Sequence, residues 1–508
     1  MTGTVALDGR SLGREQFVAI VRGAVPVAVA PSARAACDAS RAAVERAIAQ
    51  SRAVYGVTTG FGGLSHQAVP VEKSREIQAS LVRSHASGTG PALPSDLVRG
   101  LVLLRLNSLA RGHSGVRPEL LDRLVAVLNR GLVPWVPEQG SVGASGDLAP
   151  LAHLALALTG EGSFVDPGTG ARRPARDVLA AEGIAPLELA AKEGVALLNG
   201  TSLMAAYLAL AVEDARRLLD AALVAVALSF DALEAEPGPL DDRLGEVRNS
   251  PEQRWVAGAL RQLLAGSSLA VARRTWAGQD AYTLRCVPQV LAAVRLAIDF
   301  AERIVGPELN AVTDNPVVFG EEFINGGNFH GQPLALALDT LGVGTAYLAA
   351  FSERRIARLL HPALNRGLTA FLAPEPGASS GFMIPQYLAA ALVNENATLA
   401  HPASVGSLPT SADQEDFVSM GPWAGAKLRR ILANSHRVVA VEWLVAGEAL
   451  EHRRPKSGGV GSEAALRALR ARVAALAADR SLSDDIERVA GGIASGELVG
   501  AVRAAVPF

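Results

Sequence analysis

From Leu203 to Leu233 the chain reads LMAAYLALAVEDARRLLDAALVAVALSFDAL, an apolar tract many turns long whose periodicity predicts a helix over Ser202 to about Glu236. Glu213, Asp214, Arg216, Arg217 and Asp220 interrupt it, too many charges for a bilayer span, so other protein must cover its apolar surface. Comparable stretches recur at Pro288 to Val305, Leu334 to Leu360 and Pro422 to Glu451. Several helices of that length side by side make a bundle. The composition agrees: 49% of residues are hydrophobic but only 5% aromatic, a balance that favours close-packed helices over sheets. The expected fold is therefore mainly α.

Helices are expected almost everywhere after the first sixty residues. Ser95 is a plausible N-cap for a helix closing at Gly112, and Pro118 opens another that ends at Gly131. Strand signals are few, limited to hairpins around Pro167 to Gly170 and after Asn315. The basic, glycine-rich stretch HRRPKSGGVGSEAALRAL near residue 455 has the composition of an exposed mobile loop. A composition shift at Gly194 to Ser202 suggests two domains, 1–200 as a smaller N-terminal domain and 201–508 as the long-helix bundle with C-terminal helices.

With 48 basic and 50 acidic residues, the net charge of -2 offers no electrostatic case for nucleic acid or an anionic membrane. Small molecules and other subunits remain as partners. Cys37 and Cys286 lack metal-ligand spacing and read as two buried thiols, and His113, His153, His330, His361 and His436 are scattered, so no metal is expected. The N-terminus carries Asp8 and Arg10 where a signal peptide would be apolar, which points to a reducing cytoplasm.

One loop stands out chemically. In GSVGASGDLAP, residues 140–150, glycines fall at 140, 143 and 146 just before an apolar helix pattern. A phosphate cradle is excluded because no lysine and serine or threonine follow, and Asp147 would repel the phosphate. A tight turn at Ala144, Ser145 and Gly146 would let the unhindered Gly146 nitrogen approach the Ala144 carbonyl carbon. Closure with loss of two waters would leave a methylidene on an imidazolone, an electrophile that no ordinary side chain provides.

GSVGASGDLAPLAH resembles the signature of the aromatic amino acid ammonia-lyases and aminomutases, and further blocks follow in family order: VYGVTTGFG (54–62), LLNGTS (197–202), QDAYTLRC (279–286), NAVTDNP (310–316), GGNFHGQP (326–333) and SSGFM (379–383). The resemblance implies a 4-methylideneimidazole-5-one group made from Ala144, Ser145 and Gly146, in a homotetramer whose sites are shared between subunits. Elimination of ammonia needs a strong base at a weakly acidic β-carbon. Tyr55 is the expected base; phenols ordinarily titrate near pH 10, so its surroundings would have to favour the phenolate. Arg285, three positions after Tyr282, can clamp the substrate carboxylate bidentately. The resemblance puts Tyr282 and Phe329 at the methylidene and the substrate ring; Gln279 is expected among the substrate contacts, Asn199 can donate to the ring oxygen of the prosthetic group or to the substrate carboxylate, and Asp147 is expected to assist cyclisation or cap the helix after the loop.

For the substrate, Ser84 and His85 resemble the histidine enzymes, and Glu415 stands where phenylalanine and tyrosine enzymes usually have glutamine. A carboxylate can accept an imidazole N–H but gains nothing from a phenyl ring. Phe417 departs from the pattern, since histidine enzymes carry histidine there. The expectation is elimination of ammonia from L-histidine to give trans-urocanate, with a tyrosine ammonia-lyase or tyrosine 2,3-aminomutase as the alternative. A non-enzymatic helical scaffold would have no need of Tyr55, Ser145 and Arg285 together.

Overall fold

The structure is a computed structural model describing residues 3–60, 62–64, 67, 70, 73–270 and 279–508; Phe61, within the first sequence block above, lies outside them. Among the described residues nineteen α-helices dominate, and the only paired strands form four two-stranded sheets. The chain is a mainly α protein, as expected. It forms two compact units, each assembled from three segments: residues 1–210, 301–338 and 403–426 in the first, and 211–300, 339–402 and 427–508 in the second. The first contains all of 1–200 and adds two later segments to it.

In the first unit, helix Ser95–Ala110 is the hub. It is buried on nearly every side, because Arg14–Gly23, Pro31–Ala49 and Pro118–Asn129 all pack on it. Two of those helices lie within the first sixty residues, where no helix was expected. Pro94 rather than Ser95 is the N-cap, so the chain enters the hub one residue earlier than the serine suggested. Both expected hairpins form, Ser163–Val165 with Arg172–Pro174 and Val317–Phe319 with Glu322–Ile324. Val5–Leu7 pairs in parallel with Val27–Val29, and Thr89–Ala92 antiparallel with Pro137–Gln139; these three- and four-residue strands carry too little alternation to read from sequence.

The four long helices run Ser202–Ala232, Val287–Glu308, Gln332–Leu360 and Gly421–Glu451. Within the second unit three of them are joined by one buried carboxylate. Glu442 accepts from Arg355 Nε (2.6 Å) and Nη2 (2.7 Å) and from Ser229 Oγ (2.7 Å), and also from Ser352. Removing one partner of such a pair would strand the other charge in the core, typically at a cost of about 3–5 kcal/mol. Gln332–Leu360 is the one described helix long and apolar enough to cross a membrane by length and composition, yet 61% of its most apolar window is buried inside the protein, as befits a core helix.

The stretch near residue 455 is exposed from Arg454 to Ser457, as its composition suggests, but it is anchored immediately after. Gly458 and Gly459 are buried, Gly459 N donates to Asp231 Oδ2 (2.8 Å), and a Cβ at Gly459 would come within 2.4 Å of Leu264 Cα. The glycines serve close packing there rather than freedom. Cys37 is buried and Cys286 only half-buried; neither is in a disulfide.

Candidate active site

The Ala144, Ser145, Gly146 loop is held by glycines on both sides of a tight contact. Ser145 and Gly146 have φ of 45° and 79°, consecutive left-handed residues that curl the backbone on itself. Gly146 and Gly200 pair as a parallel bridge, with Asp147 N donating to Gly200 O (2.7 Å) and Gly200 N to Ser145 O (3.2 Å). A Cβ on Gly146 would lie 2.1 Å from Gly200 O, and one on Gly143 2.1 Å from Ser419 Oγ. No side chain fits at either position.

Asp147 is fully buried. Its Oδ2 accepts from Leu203 N (2.8 Å) and Met204 N (3.2 Å) at the start of helix Ser202–Ala232, while Oδ1 has no partner. It is the N-cap residue of helix Leu148–Thr159 and its carbonyl accepts from Leu151 N (3.0 Å), but its side chain makes no capping bond there and turns to the N-terminus of a different helix. Burial pushes its carboxyl up to about 7, with nearby Glu308 adding to the rise and the two backbone amides and Arg105 opposing it. The folded protein therefore keeps a proton that the unfolded chain loses, and this group's contribution to stability falls as pH rises from about 4 to 7. Urea unfolding at about pH 5 and about pH 8 should show a larger loss of stability for the parent than for Asp147→Asn, the difference being of order a few kcal/mol. Equal losses would assign the pH dependence to other groups.

Beside the loop lies a cavity of about 850 Å³. Tyr55, His85, Asn199, Phe329 and Glu415 all line it, together with Ala144 and Ser145. These residues come from all three segments of the first unit. The amide of Gly62, opening a 3-10 turn, donates to Tyr55 Oη at 3.0 Å. His85 ends helix Ser74–His85, and its Nδ1 meets both Leu81 O (2.9 Å) and Ser84 Oγ (3.0 Å), which engages that edge of the ring and leaves Nε2 for a ligand. Glu415 Oε1 accepts from Ser145 Oγ (3.1 Å) and Oε2 from Thr410 Oγ1 (2.9 Å), and a backbone bridge between Thr410 and Glu415 fixes the carboxylate.

Asn199 is set from beneath. Lys192 Nζ and Asp314 Oδ2 form a fully buried ion pair at 2.7 Å, Asp314 Oδ1 accepts from Asn315 N (2.7 Å), and Asn315 O accepts from Asn199 Nδ2 (3.2 Å). Arg105, also buried, donates to the Asn199 carbonyl. With its nitrogen so engaged, Asn199 keeps a buried Oδ1 that has no partner.

Among the other lining residues, Asn315 and His330 stand outside the expected set, while Phe417 occupies a position already marked as part of the substrate pocket. Asn315, His330 and Phe417 all face the cavity, and the ring of His330 stacks on Phe417 at 6.1 Å and 14° while its Nε2 meets Phe417 O at 3.1 Å. His330 had looked like a scattered histidine; its place directly after Phe329 in GGNFHGQP was the signal available.

Gln279, Tyr282 and Arg285 belong to the second unit and are not among the residues lining this cavity. Tyr282 and Arg285 share a four-residue helix, Tyr282–Arg285, with the guanidinium 4.8 Å from the ring centroid; Tyr282 is 67% exposed. Among the described residues no group of three or more His, Cys, Asp or Glu could hold a metal ion.

A helical fold carrying this glycine-clamped loop defines a class, and the chain belongs to it: residues 12–471 match the aromatic amino acid lyase family. Among its relatives, histidine ammonia-lyases of Symbiobacterium thermophilum and Deinococcus radiodurans are each 47% identical, covering 98% of this chain and 98% and 95% of their own. Among solved structures, tyrosine aminomutase from Streptomyces globisporus superposes with a TM-score of 0.94 at 38% identity over 99% of both chains. Histidine ammonia-lyase from Trypanosoma cruzi does so at 0.92 and 38%, over 99% of this chain and 96% of its own.

Proposed function

We propose that this chain is an ammonia-lyase converting L-histidine to trans-urocanate, with a 4-methylideneimidazole-5-one formed from its own Ala144, Ser145 and Gly146. The observation that carries the reading is the meeting of Tyr55, His85, Asn199 and Glu415 around Ser145 in one cavity. The residues present suit the group: the triplet is curled by left-handed φ values, and Gly146 sits where no Cβ fits. Once formed, the group supplies an electrophile for the substrate's amino group.

The chain's own side chains do the rest. Tyr55 takes the β-proton, and the Gly62 amide that donates to its oxygen serves a phenolate equally well. Glu415 accepts an imidazole N–H, and His85 Nε2 offers a second polar contact. Asn199 Oδ1, buried without a partner, accepts from the amino group. Arg285 clamps the carboxylate, and with Tyr282 and Gln279 it is supplied by another subunit of a homotetramer. Ile384, Tyr387 and Leu388 support assembly, since helix Met383–Leu399 exposes them at i, i+3 and i+4. The separate thiols of Cys37 and Cys286 are in keeping with a cytoplasmic setting.

Incubation with L-histidine, L-tyrosine and L-phenylalanine, each product being identified, tests the reading; trans-urocanate is the expected product. Glu415→Gln should weaken transition-state stabilisation for L-histidine by roughly 1.5 to 3 kcal/mol, the range for a charged hydrogen bond, and affect tyrosine less. Because Glu415 also holds Ser145, intact mass should confirm that the variant still matures. One observation favours tyrosine instead: Phe417 gives the outer wall an apolar ring. Turnover of L-tyrosine with none of L-histidine would decide for that reading.

A further inference from the structure

The first unit has a second cavity, of about 440 Å³, that the lyase reading does not use. Its wall carries charges of both signs that do not pair with one another. Arg111 spends Nη1 on Asn310 O (2.6 Å) and forms no ion pair among the described residues. Glu308 has one carboxylate oxygen on the Thr201 hydroxyl and no cationic partner. His113 donates Nδ1–H to Val318 O (2.9 Å), which makes Nε2 a lone-pair acceptor, and Asn328 gives Nδ2 to Val312 O (3.2 Å), which leaves Oδ1. Val317 and Phe319 add an apolar surface.

Three acceptors, one guanidinium and an apolar patch are complementary to a molecule with an ammonium, a carboxylate and a short apolar side chain. We propose that this cavity is a second binding site, for a small zwitterionic amino acid, whose occupancy reaches the first cavity through Thr201. Burial raises the Glu308 carboxyl above its ordinary range, as expected of an acid that lacks a cation and would gain one from the ligand. The route to the first cavity is short. Thr201 N donates to Thr313 Oγ1 (3.4 Å), Thr201 Oγ1 holds Glu308, and the preceding residue, Gly200, is the strand partner of Gly146. An ammonium drawing Glu308 off Thr201 loosens the backbone against which the loop closes.

The test uses the full-length protein with three probes: L-valine, isobutylamine, which lacks the carboxylate, and isovalerate, which lacks the ammonium. Calorimetry should show saturable binding of L-valine alone, weakened about tenfold or more by Arg111→Gln and by Glu308→Gln, each removing one charged hydrogen bond. Glu308→Gln keeps an acceptor for Thr201, so the fold has a conservative check in its helical content. Equally tight binding of either single-charge probe, L-valine binding that both variants leave unchanged, or no binding overturns the proposal. Its effect on turnover rests on the lyase reading: L-valine should lower kcat for L-histidine about threefold or more with KM little changed, and lose that effect in both variants. A rise in KM alone would place L-valine in the first cavity and also overturn it. Failure to turn over L-histidine would overturn the lyase reading while the calorimetry still decides this one.

Discussion

Ser145→Ala should yield a folded protein whose intact mass equals that of the encoded chain, with no near-ultraviolet absorbance from a conjugated ring and no lyase activity. The parent should be lighter by two waters. The argument is local. The serine Cβ is the carbon that becomes the methylidene, so alanine cannot supply it. The backbone that curls the triplet depends on Gly143, Gly146 and Gly200, which the substitution leaves alone. Among the described residues the Ser145 hydroxyl bonds to Glu415 alone, itself still held by Thr410, so the change should cost about 1 kcal/mol of stability, as for one ordinary hydrogen bond. A Ser145→Ala protein that kept the absorbance and the mass deficit would remove the electrophile from this loop.

Tyr55→Phe separates two readings of one residue. The variant loses the acceptor for Gly62 N and keeps the ring. Were the tyrosine merely structural, the loss would be about 1 kcal/mol of stability with turnover almost unchanged. As the base it should cost roughly 100- to 10,000-fold in turnover. Mass deficit, absorbance and subunit assembly should persist, since the triplet is untouched. Deuterium exchange at the substrate β-carbon gives the sharper readout: exchange at the parent rate in Tyr55→Phe would assign the proton transfer to another group.

What the sequence disclosed here was mostly what neighbouring residues encode together. The long helices followed from periodicity, and their bounds moved by only a few residues, Leu334 to Gln332 being typical. The block containing Ala144, Ser145 and Gly146 announced itself because its glycines are contiguous with its chemistry. Contacts across distant segments were not legible. Asp147 is the N-cap residue of one helix but its side chain caps another, since only the fold brings Leu203 N to it. The Lys192–Asp314 pair spans 122 positions, and nothing in either stretch names the other. His330 and Phe417 became neighbours in the same way. The stretch at Gly458 and Gly459 failed for a different reason: glycine serves both mobility and close approach, and composition cannot separate the two.

The interleaving of the first unit bears on how such a gene can be divided. A fragment ending at residue 210 would encode Tyr55, the loop and Asn199, yet lack Phe329, Glu415 and the Ser419 that packs on Gly143. The missing pieces are not an appended module but two later segments of the chain, separated from the rest by stretches that build the other unit. No single cut therefore releases a working half. Recombination that swaps one end of the chain between relatives exchanges part of the cavity's wall and must match the part left behind.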